Sequence, residues 1–149
     1  MNKILNIGNK KSSIELIQII KEKNYSSFDI KITNCHITEL NKVIGKKVFK
    51  NDVLYINART LWEIMQPIGG KGKHHYHNLS PEEIYDILMQ AKNSKEIFAS
   101  HDGRYLVITL SSLINQSKYA LILEPNGHSK NSYIASVIRV ITMYPYNKK

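Results

Sequence analysis

The sequence predicts an α+β fold in which N-terminal helices pack on a C-terminal antiparallel sheet of about four strands. Up to about residue 93, the strongest pattern is the recurrence of apolar residues at helical spacing. From residue 96 onward, short segments rich in β-branched and aromatic residues follow one another, and turn residues separate them. Helices followed by a run of strands is the order typical of an α+β domain.

The chain has 149 residues, which corresponds to about one domain. We expect an N-terminal helical and strand extension over 1–52 and a core over 53–144. Hydrophobic residues make up 42% of the chain, which argues against disorder. No apolar run is long enough to span a membrane, and no signal peptide is present, so the expected location is the cytoplasm of the producing or target cell.

The N-terminal half contains predicted strands and helices of ordinary length. Ser12 and Glu15 have the spacing of a capping box, which predicts a helix over about 13–23. Alternating apolar residues predict the strands, and the lysine-rich stretch at 42–51 is interpreted as a loop or an edge strand. The further predicted elements are a strand over 28–32, a strand over 53–56 and a short helix that ends before Pro67.

The best-signalled helix begins at Pro81. Ser80 is a natural N-cap, proline suits the first helical position, and Glu83 completes a capping box. Apolar spacing carries this helix to about Asn93. The strands predicted after it cover 96–100, 105–110, 119–123 and 133–144, with turns at Asp102-Gly103 and Pro125-Asn126-Gly127.

Net charge indicates the class of partner. The 21 Lys and Arg residues against 12 Asp and Glu residues give a formal charge of +9. A basic surface of this kind favours a polyanion, either nucleic acid or an acidic membrane surface, over the alternative of a merely solvated basic face. The distribution supports a polyanion, because four lysines and no acid occur over 42–51 and nothing after Glu124 is acidic.

A basic, histidine-rich segment lies just before the helix at Pro81. Residues 71–77 hold three histidines and two lysines, Lys71 and Lys73, and no carboxylate occurs from 64 to 81. Imidazoles exchange protons near neutral pH, and lysines bind phosphate, so this composition is typical of phosphodiester chemistry. In an extended segment His75 and His77 share one face; the alternative is a set of exposed loop histidines.

Metal binding is the rival chemistry for this segment. The His-x-His pair of His75 and His77 has zinc-ligand spacing, with Cys35 and His36 as conceivable additional ligands. A structural zinc site needs four ligands and a catalytic site needs three, and carboxylates are missing from the segment. We therefore expect neither a metal nor another cofactor.

The last predicted strand carries a second set of candidates. Strict alternation places Ser136, Thr142 and Tyr144 on one face and Arg139 on the other, whereas a bulge would break that alternation. Hydroxyl and guanidinium groups address phosphate oxygens, and a tyrosine ring can stack on a base. The alternative is an ordinary strand in which serine and threonine fit the sheet and the arginine reaches solvent.

Five segments, taken in order, resemble the nuclease domain at the C-terminus of phage MuF-type proteins, within the barnase–EndoU–colicin–RelE group of metal-independent ribonucleases. The segments are His-Asn-Leu-Ser-Pro-Glu-Glu-Ile (77–84), Lys-Glu-Ile-Phe-Ala-Ser (95–100), Arg-Tyr-Leu-Val-Ile-Thr-Leu (104–110), Ala-Leu-Ile-Leu (120–123) and Tyr-Ile-Ala-Ser-Val (133–137). The resemblance covers about 53–144 and implies a barnase/RelE-like fold. His77 matches the histidine of that group, Ser136 its serine and Lys73 its basic residue. The chain departs from the pattern after Ser136, where Val137-Ile-Arg139 replaces an aromatic-x-basic ending.

The ending Val-Ile-Thr-Met-Tyr-Pro (140–145) is similar to the closing strand of other toxin ribonucleases in the group, which makes Thr142 and Tyr144 competitors of Ser136.

The resemblance implies a metal-independent endoribonuclease, a toxin of phage or mobile-element origin, with RNA as substrate. The ribose 2′-hydroxyl would attack the neighbouring phosphate and leave a cyclic phosphate, with an acidic antitoxin or immunity protein as partner. His77 or His75 would transfer protons, and Lys73, Arg139 and the start of the helix at Pro81 would stabilise the charged phosphorane. The remaining RNA-binding candidates are Lys71, Arg104, Thr142 and Tyr144. The alternative function is a non-catalytic basic module that binds RNA or protein.

Overall fold

The structure is a computed structural model that describes residues 3–7, 10–23, 28–32, 35–69, 75–100, 103–114, 116–127 and 137–146. Seven strands and four α-helices are assigned within these ranges. In chain order they are β1 (Lys3–Ile7), α1 (Lys10–Lys23), β2 (Phe28–Ile32), α2 (Leu40–Ile44), β3 (Leu54–Asn57), α3 (Ala58–Met65), α4 (Pro81–Gln90), β4 (Glu96–Ala99), β5 (Leu106–Ser111), β6 (Lys118–Gly127) and β7 (Val137–Pro145).

All seven strands belong to one mixed sheet, in the order β1-β2-β3-β7-β6-β5-β4. The pairs β1–β2 and β3–β7 are parallel, and the other neighbours are antiparallel. The predicted α+β class is confirmed. The sheet is larger than the antiparallel sheet of about four strands that we predicted, because β1, β2 and β3 from the N-terminal half extend it beyond β7.

The helices cover one face of this sheet. Helix α1 contacts both α3 and α4, while α3 packs on β7 and α4 packs on β5. Directly paired strand residues point to the same face, so the register identifies which side chains meet the helices. The core between the layers includes Ile20 of α1, Ile64 of α3, Ile87 of α4, and Leu54, Leu121 and Ile138 of the sheet.

The opposite face of the sheet, here called the distal face, carries polar residues from β3, β6 and β7. Arg139 pairs with Tyr55 on one side and with Glu124 on the other, so these three residues share the distal face. Thr142 pairs with Ile122 and Tyr144 pairs with Ala120 on the same face. Arg139, Thr142 and Tyr144 therefore point away from the helical layer.

The start of α4 follows its sequence signals closely, whereas the start of α1 differs from the predicted position. In α4, the Ser80 hydroxyl accepts from the backbone N–H of Glu83 at 3.1 Å, and the Glu83 carboxylate accepts from the backbone N–H of Ser80 at 3.2 Å. This reciprocal bonding confirms the predicted capping box. Helix α1 begins at Lys10, three residues earlier than predicted, which places Ser12 inside the helix.

Strand β6 runs through the segment that we predicted as a turn. Glu124 pairs with Arg139 and Gly127 pairs with Val137, so two residues of β6 oppose the single Ile138 of β7. Pro125 has no N–H to donate to the ladder, which accounts for an irregularity here. The turn signal of Pro125-Asn126-Gly127 thus marks a break in pairing within the strand, and the predicted turn is wrong. Among the described residues, no helix is long and apolar enough to cross a bilayer.

Candidate functional site

The segment that carries His77 is fastened to the end of α3. The backbone N–H of Asn78 donates to the carbonyl of Gln66 at 2.7 Å, and that of Leu79 donates to the carbonyl of Ile64 at 3.2 Å. Asn78 adopts a left-handed φ of 54°, which asparagine tolerates better than most residues. The Leu79 side chain is only 2% exposed and packs in the core. These contacts fix the path of the backbone on which His77 sits.

His77 packs against the last strand. Its ring centroid lies 5.6 Å from that of Tyr144, with the planes tilted by 41°. Partial burial lowers the pKa of His77 below its ordinary value, and the charge of nearby His75 lowers it further. Both causes favour the neutral imidazole at pH 7, which is the form that accepts a proton. This side chain therefore has the protonation state of a general base.

His75 lies next to α3. Together with Thr60, Glu63 and Ile141 it lines a small cavity of about 200 Å³. A carboxylate from the helix is therefore close to the histidine segment in space, although none is close in sequence. This carboxylate, that of Glu63, lies outside the acid-free stretch from 64 to 81 and meets His75 through folding.

Tyr76 turns toward an aromatic group on α3. Its ring meets that of Trp62 edge to face, with centroids 5.8 Å apart. The guanidinium of Arg59 lies 4.7 Å from the centroid of the Trp62 ring and also pairs with Glu63 at 3.4 Å. Trp62 is itself half-buried and packs on the core. Tyr76 thus helps to hold the segment between His75 and His77 against the helix.

A bulge in β7 decides which residues of the last strand share a face. Ile122 pairs with Thr142 while Leu123 pairs with Val140, so β7 contains one extra residue at Ile141. The prediction from strict alternation, with Arg139 opposite Thr142 and Tyr144, is wrong for this reason. The bulge that we considered as the alternative places these three side chains together on the distal face.

Arg139 shares a carboxylate with Arg104. The Nε atom of Arg104 lies 2.8 Å from Oε2 of Glu124, and the Nε atom of Arg139 lies 3.3 Å from Oε1 of the same side chain. Glu124 is 15% exposed, whereas the arginine side chains are 61% and 39% exposed. Two predicted RNA-binding arginines are therefore brought together and partly neutralised. Glu124 was missed at the sequence level, where its only signal is its position as the last acidic residue.

The arginine pair lies apart from Tyr144, the strand residue that contacts His77. Tyr144 pairs with Ala120 and Arg139 pairs with Glu124, four residues further along β6, which corresponds to about 13 Å at the rise of a strand. Thr142 lies between them. Its hydroxyl is buried and has no hydrogen-bond partner among the described residues, a condition that few buried polar groups show.

The start of α4 is already occupied by its own carboxylates. Glu82 and Glu83 lie in the first turn, and Glu83 completes the capping box. The hydroxyl of Tyr119 donates a further hydrogen bond to Glu83. First-turn carboxylates offset the positive end of the helix dipole. This geometry does not fit the expectation that the start of this helix stabilises a charged phosphorane.

The residues considered for zinc do not converge in the described parts of the chain, where no group of three or more His, Cys, Asp and Glu side chains is placed to hold a metal ion. Cys35 is buried, and its thiol donates to the carbonyl of Asp52 at 2.9 Å. Burial raises the pKa of this thiol to about 11, so it is protonated at neutral pH and is not a thiolate ligand.

Four residues of the predicted site and its loop, Lys71, Lys73, His74 and Ser136, lie outside the described residues. Comparison of the chain with protein-family models, with curated proteins and with solved structures finds no match. The candidate site therefore rests on its own geometry: His77 against Tyr144, His75 beside α3, and Arg139 and Thr142 further along the distal face.

Proposed function

We propose that this protein is a metal-independent endoribonuclease that cleaves RNA by attack of the ribose 2′-hydroxyl and leaves a 2′,3′-cyclic phosphate. The observation that carries the proposal is His77, a partly buried imidazole with a lowered pKa that packs on Tyr144 at the end of the last strand. A neutral imidazole in this position suits abstraction of the 2′-hydroxyl proton. The net charge of +9 supports a polyanionic substrate.

The two histidines support a division of roles. His75 lowers the pKa of His77 through its charge, so the two imidazoles disfavour being protonated at the same time. Neutral His77 takes the proton from the 2′-hydroxyl as its oxygen attacks the phosphorus. His75 is the candidate donor of a proton to the departing 5′-oxygen, directly or through a water molecule.

The distal face supplies binding groups for the rest of the RNA. The Tyr144 ring orients His77 and offers a surface for base stacking. Arg139 lies about 13 Å further along the face at the rise of a strand, a separation that suits a neighbouring phosphate better than the reacting one. Arg104 is bridged to it by Glu124 and extends the same basic surface. Lys71, Lys73 and Ser136 remain part of the proposed site on the strength of the family resemblance.

The barnase/RelE-like architecture and the toxin role are part of the same proposal. The antiparallel strands β4 to β7 with helices on one face support that architecture. A free ribonuclease in a cell requires an inhibitor, and a basic distal face favours an acidic antitoxin or immunity protein.

A non-catalytic RNA-binding module is the second candidate. The observation that favours it is the separation between the arginine pair and His77, since a binding surface centred on Arg104 and Arg139 needs no imidazole. Binding of RNA without cleavage would support this candidate.

The experiment is incubation of purified protein with single-stranded RNA in excess EDTA, followed by analysis of the product ends. We expect cleavage that persists in EDTA and yields cyclic phosphate termini. Activity that EDTA abolishes and magnesium restores would point to a metal-dependent nuclease, which uses several acidic ligands. RNA that binds and stays intact under all conditions would leave the binding module as the function.

A further inference from the structure

A groove of about 710 Å³ opens at the β4 edge of the sheet, remote from the histidine segment. One wall consists of Ile97, Phe98 and Ala99 of β4 with Leu106 of β5, and the other is formed by α2 and the loop after it, over 43–48. Consecutive strand residues point to opposite faces. A groove lined by three consecutive residues of β4 therefore runs along the edge of that strand.

Although β4 is only four residues long, its edge carries neither lysine nor proline. Within the described residues β4 pairs with β5 alone and is the last strand of the sheet. Natural edge strands carry lysines, prolines or bulges that discourage a further strand. After Glu96, however, the strand reads Ile-Phe-Ala, and Phe98 is 49% exposed. Across the groove Val43 is 52% exposed, so both walls present apolar surface to solvent.

The charge around the groove indicates the chemistry of the partner that it binds. Among the described residues that line it, Lys46, Lys95 and Arg104 face one carboxylate, that of Glu124, which already pairs with Arg104. A net charge of +9 on the chain opposes a second copy of itself at this position. A partner that complements the groove carries apolar residues for its floor and carboxylates for its rim.

We propose that the edge of β4 binds an acidic protein segment in extended conformation, which adds a strand to the sheet. Main-chain hydrogen bonds to β4 supply affinity, and alternate side chains supply specificity. Every second residue of the segment packs against Phe98 and Val43, and the intervening carboxylates meet Lys46 and Lys95. The four residues invoked here, Phe98, Val43, Lys46 and Lys95, belong neither to the catalytic group nor to the RNA-binding candidates, although Arg104 at the same groove is one of the latter.

The test uses the full chain and a blocked, fluorescently labelled peptide of alternating valine and glutamate. We expect this peptide to bind at least about tenfold more tightly than its valine–lysine counterpart and than a scrambled peptide of the same composition, by fluorescence anisotropy. Phe98→Asp should weaken binding by at least about tenfold, since it removes the aromatic anchor and adds a repelling charge. Leu113→Asp is the matched control, because Leu113 is 73% exposed and lies outside the groove, and it should leave affinity unchanged.

If Phe98→Asp does not fold, Lys95→Glu provides a second test of peptide binding. This exposed substitution should weaken the acidic peptide and strengthen the basic one. Equal binding of acidic and basic peptides, no binding at all, or equal losses in Phe98→Asp and Leu113→Asp would each overturn the proposal. A chain that sediments as a dimer and becomes a monomer in Phe98→Asp would also overturn it, because a second copy would then occupy the edge.

Discussion

Leu79 offers a direct test of how the histidine segment is held. Its side chain is 2% exposed and packs in the core, one residue after the left-handed Asn78 and two residues after His77. Leu79→Ala removes three carbon atoms from this position, which costs about 2 kcal/mol in transfer free energy and, with the cavity left behind, about 2–5 kcal/mol in all. We therefore expect the free energy of unfolding to fall by that amount.

The matched control is Leu113→Ala. Leu113 is the same residue type but is 73% exposed, so its truncation should change the free energy of unfolding by less than about 0.5 kcal/mol. Urea denaturation followed by circular dichroism measures both variants. Under conditions where Leu79→Ala remains folded, its RNA cleavage should fall more than its RNA affinity, because the loosened backbone misplaces His77. A loss of stability below about 1 kcal/mol, or equal effects of the two substitutions, would refute the claim that this residue anchors the segment.

Three further predictions concern substitutions of Glu124, Thr142 and His75. Glu124→Gln removes the carboxylate that bridges the two arginines. RNA affinity at low salt should therefore rise, and the salt dependence should steepen by about one phosphate contact. Unchanged binding would mean that the bridged arginines do not contact RNA. Thr142→Val replaces a buried hydroxyl that has no hydrogen-bond partner among the described residues, so thermal stability should stay equal or increase, and a marked loss would reveal a missing partner. His75→Gln removes a charge that lowers the pKa of His77, so the pKa of His77, followed by NMR titration, should rise, and a pKa that stays in place or falls would contradict the coupling.

The same lowered pKa has a consequence for stability. The folded state binds a proton at His77 less readily than the unfolded chain, whose histidine has the ordinary value of 6.5. Stability from the neutral imidazole is therefore fully present above that pH and is lost as the pH falls through the folded pKa. In the acid range, this loss of stability and any loss of activity through protonation of His77 occur together.

Local signals predicted the parts of the fold that depend on local chemistry. The capping box at Ser80 and Glu83 was predicted because each of its hydrogen bonds joins residues three positions apart. The C-terminal strands were predicted from their β-branched composition to within a few residues, except that β6 continues through the predicted turn at Pro125. The short strand β1 was not predicted, since five residues without clear alternation carry little signal.

The candidate site depended on contacts that sequence periodicity does not encode. The bulge at Ile141 is set by pairing between β6 and β7, and it reverses the face on which Arg139 was expected. Glu63 reaches the histidine segment only because α3 and that segment pack together. Glu124 joins the site through long-range ion pairs with Arg104 and Arg139. The contact of His77 with Tyr144 of the final strand is likewise a long-range contact.

We propose that His77 transfers a proton during RNA cleavage. Single-turnover kinetics of His77→Ala at saturating protein is the most direct test of this role. The control is His36→Asn, which replaces an exposed histidine elsewhere on the chain with a residue that tolerates its left-handed φ of 54°. We expect His77→Ala to lower the cleavage rate by about 10²–10⁴-fold, with RNA affinity nearly unchanged, while His36→Asn cleaves at the wild-type rate. A His77→Ala variant that cleaves RNA as fast as the wild-type protein would contradict the account.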